Sequence, residues 1–184
     1  MTVNAQHLLT ALPLLGLLGV AAATDLRSRR IPNWLTATVI LAGFAQSLTR
    51  FALTTPLDSL AGLAVGFTLT FLMYAVGGRG AGDVKLMAGI GAWLGPTFVL
   101  WVFAAAAIIS LIVALVQSAF QGKLRSLLHN TVLMALNAIH VQRLGAEHVM
   151  ESGRRVKSID QPMPNAVNVL VATVAVLAWV AQFR

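Results

Sequence analysis

The 184-residue chain contains no cysteine, which excludes disulfides and thiolate metal sites and leaves any zinc to histidines and carboxylates. Charge is equally scarce. Only 10% of the residues are charged, against about a quarter in soluble domains. With 58% hydrophobic residues and a mean hydropathy of +0.80, there are too few polar groups to cover a soluble globule, so the chain needs lipid around it. No Lys or Arg precedes the first apolar run, whereas Arg27, Arg29 and Arg30 follow it. A secretory signal carries its positive charge in front, so this run is a retained helix despite the cleavage-like Ala21-Ala22-Ala23. No Gly-Lys-Ser/Thr follows Gly78, Gly80 and Gly82, and no strand pattern precedes them, which excludes a phosphate loop.

What is present is a series of six hydrophobic runs, at roughly 8–24, 34–53, 59–76, 84–95, 97–119 and 166–183. Most approach the ~20 residues a helix needs to cross a bilayer. The expected fold is all-α, a polytopic membrane protein of about six transmembrane helices in a single domain over 1–184. The run at 84–95 is short, bounded by Gly80, Gly82 and Gly95-Pro96, and is expected to tilt or to be shielded by neighbouring helices. An irregular backbone at membrane depth survives only against protein or water, so the stretch from Gly77 to Gly82 is expected to face a wet, protein-lined cleft. Trp34, Trp93, Trp101 and Trp179 fall near run ends, as in an interfacial aromatic belt.

The formal charge of +7 suggests nucleic acid in a soluble protein, but in a membrane protein basic residues crowd into the cytoplasmic loops. With the N-terminus outside, segments 25–33, 77–85 and 120–165 lie inside, and of the 13 Lys and Arg only Arg50 and Arg184 fall outside. Asn130 and Ser158 then face the cytoplasm and Thr54 the other side. The long inner insert, 120–165, has apolar positions spaced for a surface-lying amphipathic helix over 124–144, followed by a polar loop from Glu151 to Pro164.

Six acidic residues remain to carry chemistry: Asp25, Asp58, Asp83, Glu147, Glu151 and Asp160. Taken singly, Asp25 reads as a helical ion pair with Arg29 and Asp83 as a helix cap, with the glycines as a tight turn. Together they read differently. The topology puts both aspartates at the inner boundary, where ionisable groups are costly and often functional. Two such carboxylates can share a proton, one acting as base on water and the other as acid on the scissile amide. Asp25 falls near a helix C-terminus and Asp83 near a helix N-terminus, and these opposite dipole ends assign the shared proton to Asp25. Lys85 diverges from Asp83 on a helix and is expected to act only through its field. Glu147, His148 and Glu151 do not converge on a metal, since Glu147 and His148 are adjacent and point apart. No metal or cofactor is expected.

The stretch Asp25-Leu26-Arg27-Ser28-Arg29-Arg30-Ile31-Pro32-Asn33, followed by Gly80-Ala81-Gly82-Asp83-Val84-Lys85-Leu86, resembles the type IV prepilin peptidases, which are GxGD membrane aspartyl proteases. The resemblance implies that Asp25 and Asp83 are the catalytic pair, supported by Gly80, Gly82, Lys85, Arg29, Pro32 and Asn33. It further implies prepilin or pseudopilin substrates, cut on the cytoplasmic side of their hydrophobic segment at the inner membrane. Larger members carry an N-terminal methyltransferase region, often with paired cysteines; this chain is similar to the short form found in tight-adherence (Flp) pilus systems, so methyl transfer is not expected. Relatives open their last helix with a Lys-x-Pro-Tyr-like motif, where this chain has Gln161-Pro162-Met163-Pro164-Asn165-Ala166. The rival readings are a small proton-coupled transporter and a non-catalytic component of pilus assembly. A transporter would place its acids near the bilayer midplane.

Overall fold

The computed structural model describes residues 5–49, 53–75, 80–125, 129, 131–132 and 164–183. Among them the regular elements are helices: α1 (Ala5–Ser28), α2 (Asn33–Ser47), α3 (Pro56–Ala75), α4 (Ala81–Phe120) and α5 (Asn165–Phe183). Four of these, α1, α3, α4 and α5, are long and apolar enough to cross a membrane. The chain is an all-helical membrane protein. Of the expected insert, only residues 120–125, 129, 131–132 and 164–165 are described; the rest of the surface helix and the 151–164 loop lies outside, as do residues 77–79 of the glycine-rich stretch.

Where about six transmembrane helices are expected, the described residues form five helices, one of them bent. α2 has 15 residues, about 22 Å at 1.5 Å per residue, which is short of the ~30 Å hydrocarbon layer. The runs at 84–95 and 97–119 are joined within α4, but not as one straight rod. Gly95 sits at φ 81 and ψ 176, a conformation that breaks the helix and that an L side chain resists. Two contacts show the direction change. A Cβ placed on Gly62 of α3 would strike the Gly91 carbonyl and come within 2.7 Å of the Gly95 carbonyl carbon. One on Gly66 would lie 2.5 Å from the Met87 carbonyl oxygen and 3.2 Å from Val99 Cγ2. One turn along α3 therefore runs backwards from Gly91 to Met87 on one limb of α4 and forwards from Gly95 to Val99 on the other. α4 turns back on itself at Gly95, as the Gly-Pro punctuation predicts.

The first limb is the centre of the molecule. From Asp83 to Gly95 only Lys85 is exposed, and α2, α3 and α5 all pack against α4. A helix enclosed by protein need not match the bilayer in length, which is why so short an apolar run suffices. Close approach is achieved by removing side chains: Gly62 and Gly91 meet each other's backbone, Gly66 meets the Met87 carbonyl and Val99, and Gly89 meets Val39 and Ile40 of α2.

The break leaves carbonyls that need donors. Pro96 has no N–H for Ala92, and Ser59 Oγ donates to that oxygen instead at 2.7 Å. Gln46 Nε2 donates to the Trp93 carbonyl at 3.2 Å, while Gln46 Oε1 accepts from the Leu53 N–H at 3.0 Å. Trp93 is no belt residue. It is buried, and its indole N–H donates to the Val39 carbonyl at 2.9 Å. Trp34, Trp101 and Trp179 are exposed, as a belt requires.

Candidate active site

Asp25 lies in the last turn of α1, and the way that turn ends decides its surroundings. Arg29 adopts the left-handed conformation, φ 52, and its N–H donates to the Asp25 carbonyl at 2.9 Å. An ion pair between the two side chains needs the helix to continue through Arg29; it stops at Ser28, and among the described residues no such pair forms. Asp83 lies in the first turn of α4, where the Gly80 N–H reaches its Oδ2 at a long 3.4 Å. Both carboxylates are buried, at 9% and 8% exposure, in a chain where such burial demands partners.

The partners come from α5. The backbone N–H of Ala166 donates to Asp25 Oδ2 at 3.1 Å, and Asn165 Nδ2 donates to Asp83 Oδ2 at 3.1 Å. Two consecutive residues at one helix start thus hold both aspartates. Asp25 consequently stands at the C-terminal end of α1 and the N-terminal end of α5 at once. The dipole asymmetry that assigned the shared proton to Asp25 no longer separates the pair.

A cavity of about 460 Å³ opens here, lined by Asp25, Arg29, Arg30, Ile31, Gly80, Ala81, Gly82, Asp83, Pro164 and Asn165. The other motif residues build its frame. Pro32 precedes α2 with φ −61, and its carbonyl accepts from the N–H groups of Leu35 and Thr36. Asn33 Oδ1 accepts from Lys85 Nζ at 2.8 Å, so Lys85 ties the start of α2 to α4 and is not among the cavity residues. Gly82 is packed closely, since a Cβ there would lie 3.2 Å from Ile31 Cβ and would need Ile31 to give by a few tenths of an ångström. Gly80 is extended, with φ −85 and ψ 153, so it does not make the tight turn its glycine suggests, and a Cβ there would meet Asp83 Oδ2 at an ordinary 3.9 Å. Asn165 is not among the expected site residues; its signals are its place in the stretch that departs from the Lys-x-Pro-Tyr-like motif and its polar side chain at the head of the last apolar run. Among the described residues no three His, Asp or Glu side chains gather as a metal site, and Glu147, His148 and Glu151 lie outside them.

Comparison with curated proteins and with solved structures gives no match. A family model described as the type IV leader peptidase family matches residues 12–115, more than half of the chain. The matched region takes in Asp25, Asp83 and every supporting motif residue, and stops before α5. On that match the chain belongs to the type IV leader peptidase family.

Proposed function

We propose that this chain is an aspartic endopeptidase that removes the leader of type IV prepilins or pseudopilins, with Asp25 and Asp83 as its dyad. One observation carries the proposal: two buried carboxylates from different helices line one cavity and are held by the same helix start. A peptide bond needs both halves of such a pair. One carboxylate takes the proton from an attacking water; the other donates a proton to the departing amide nitrogen. The dyad carries hydrolysis alone, and no cofactor or metal enters the step.

The cavity opens at the cytoplasmic face of the inner membrane, with the N-terminus of the chain outside. Arg27, Arg29, Arg30 and Lys85 cluster at this end of α1 and α4, as the positive-inside rule requires. α2 and the first limb of α4 complete a six-pass path, their shortness offset by the protein around them, and the whole chain acts as one membrane-embedded peptidase unit. Its partners are the leader segment of the substrate and the bilayer, not nucleic acid.

The test is leader release by the purified chain in lipid nanodiscs, followed by mass spectrometry of a prepilin-type substrate. The expected products are a free leader and a mature chain with an unmethylated first residue. Intact substrate after long incubation with folded protein overturns the proposal.

A further inference from the structure

We infer that Asn165 is a positioning residue that holds the Asp25–Asp83 pair in working geometry. The inference rests on the dyad assignment above and adds to it a residue beyond the region that the family match covers.

The carboxylate of an aspartate turns easily about its last torsion, which has no sharp preferred value. Two carboxylates that must exchange a proton therefore need external donors to orient them. Asn165 supplies one through its own Nδ2, at 3.1 Å from Asp83 Oδ2. Its neighbour supplies the other through the Ala166 N–H, at 3.1 Å from Asp25 Oδ2. The two donors belong to adjacent residues, so both aspartates are held from a single helix start.

The helix start that carries these donors is itself anchored. Asn168, one turn on, is buried and donates to Ser110 Oγ on the second limb of α4 at 3.1 Å. Pro164 precedes Asn165 and restricts the backbone at the point of entry. An ordinary capping asparagine turns its side-chain oxygen back onto the amides of its own helix. Asn165 instead donates away from its helix, to a residue of α4, which a capping role does not call for.

The charged groups lining the same cavity are Asp25, Asp83, Arg29 and Arg30, while Lys85 is engaged with Asn33. A donor placed among them acts on proton position, and this gives a test that a merely structural asparagine would not pass. Full-length protein in nanodiscs is assayed for leader release as native chain, Asn165→Ala, Asn165→Asp, Asp25→Asn and Asp83→Asn. In Asn165→Ala, kcat falls by about 100-fold, the scale of a misplaced reacting group, with KM unchanged. In Asn165→Asp, which has nearly the same shape, the new carboxyl donates only while protonated. Its pH–kcat profile therefore moves to the acid side of the native one. Native kcat in Asn165→Ala overturns the inference, as does a pH profile of Asn165→Asp that superimposes on the native one. Should Asn165→Ala fail to fold, the profile of Asn165→Asp decides alone. Retained cleavage in Asp25→Asn or Asp83→Asn is a different result: it removes the dyad assignment, and the positioning role with it.

Discussion

Arg29 takes a left-handed conformation that costs a non-glycine residue about 1–2 kcal/mol, and in doing so ends α1 within a turn of Asp25. The aspartate is thereby left to face α5 instead of pairing along its own helix. Arg29→Gly is therefore expected to fold with native helix content, because glycine adopts this conformation without strain. Arg29→Val, whose branched side chain resists it, should lose at least about 1 kcal/mol; thermal unfolding in detergent compares the two. Ile31 makes a second contrast. It packs against Gly82, where a Cβ would come to 3.2 Å, whereas at Gly80 a Cβ would meet Asp83 Oδ2 at an ordinary 3.9 Å. Gly82→Ala should accordingly depress leader release more than Gly80→Ala, and equal activities in the two variants would contradict this account of the glycines. Asp25 and Asp83 were legible from sequence because their motifs are local. The hydrogen bonds that hold them were not, since Asn165 and Ala166 stand far along the chain and an asparagine before an apolar run reads as an ordinary helix start.

Among the elements, the first limb of α4 sets the position of Asp83, and its stability depends on how the break at Gly95 is accommodated. The break itself was readable, because Gly-Pro acts on the backbone where it stands. Its consequences depended on residues elsewhere: Ser59 and Gln46 supply donors to the carbonyls of Ala92 and Trp93. Ser59→Ala strands the buried Ala92 carbonyl and should destabilise the protein by about 1–3 kcal/mol. Gly62→Ala should do more, since its Cβ would strike the Gly91 backbone, which cannot swing aside as a side chain can. Thermal unfolding in detergent should rank the two in that order; a Gly62→Ala protein as stable as native would show that α3 and the limb do not meet as described. At α2 the length of a span was not readable from its apolar run, and at this limb the shortness was readable but not the helices that enclose it, for one reason. Hydropathy measures how apolar a run is, and does not distinguish a run enclosed by protein from one that faces lipid.

For the whole molecule, charge asymmetry predicts which end of the bundle carries the cavity. Since the chain has no cysteine, single cysteines report sidedness cleanly. Thr54, on the expected outer loop, is buried and would react poorly, so Thr49, which is exposed, is the better outer position, with Gln121 as the inner one. In intact cells a membrane-impermeant thiol reagent should label Thr49→Cys and spare Gln121→Cys; the reverse pattern would invert the topology and put the cavity outside. The central claim is that Asp25 and Asp83 act as one catalytic unit at the meeting of α1, α4 and α5. Its most direct test is the rate of leader release by Asp25→Asn and Asp83→Asn, each purified and checked for an unchanged unfolding temperature. In either variant the new amide oxygen still accepts the hydrogen bond from α5, so the fold is kept and only acid–base capacity is lost. Each change should lower the rate by 10²-fold or more, on the order expected for general acid–base catalysis. Asp58→Asn, whose parent carboxylate bonds to Thr55 at the start of α3, should leave the rate near native. A near-native rate in either Asp25→Asn or Asp83→Asn would contradict the account.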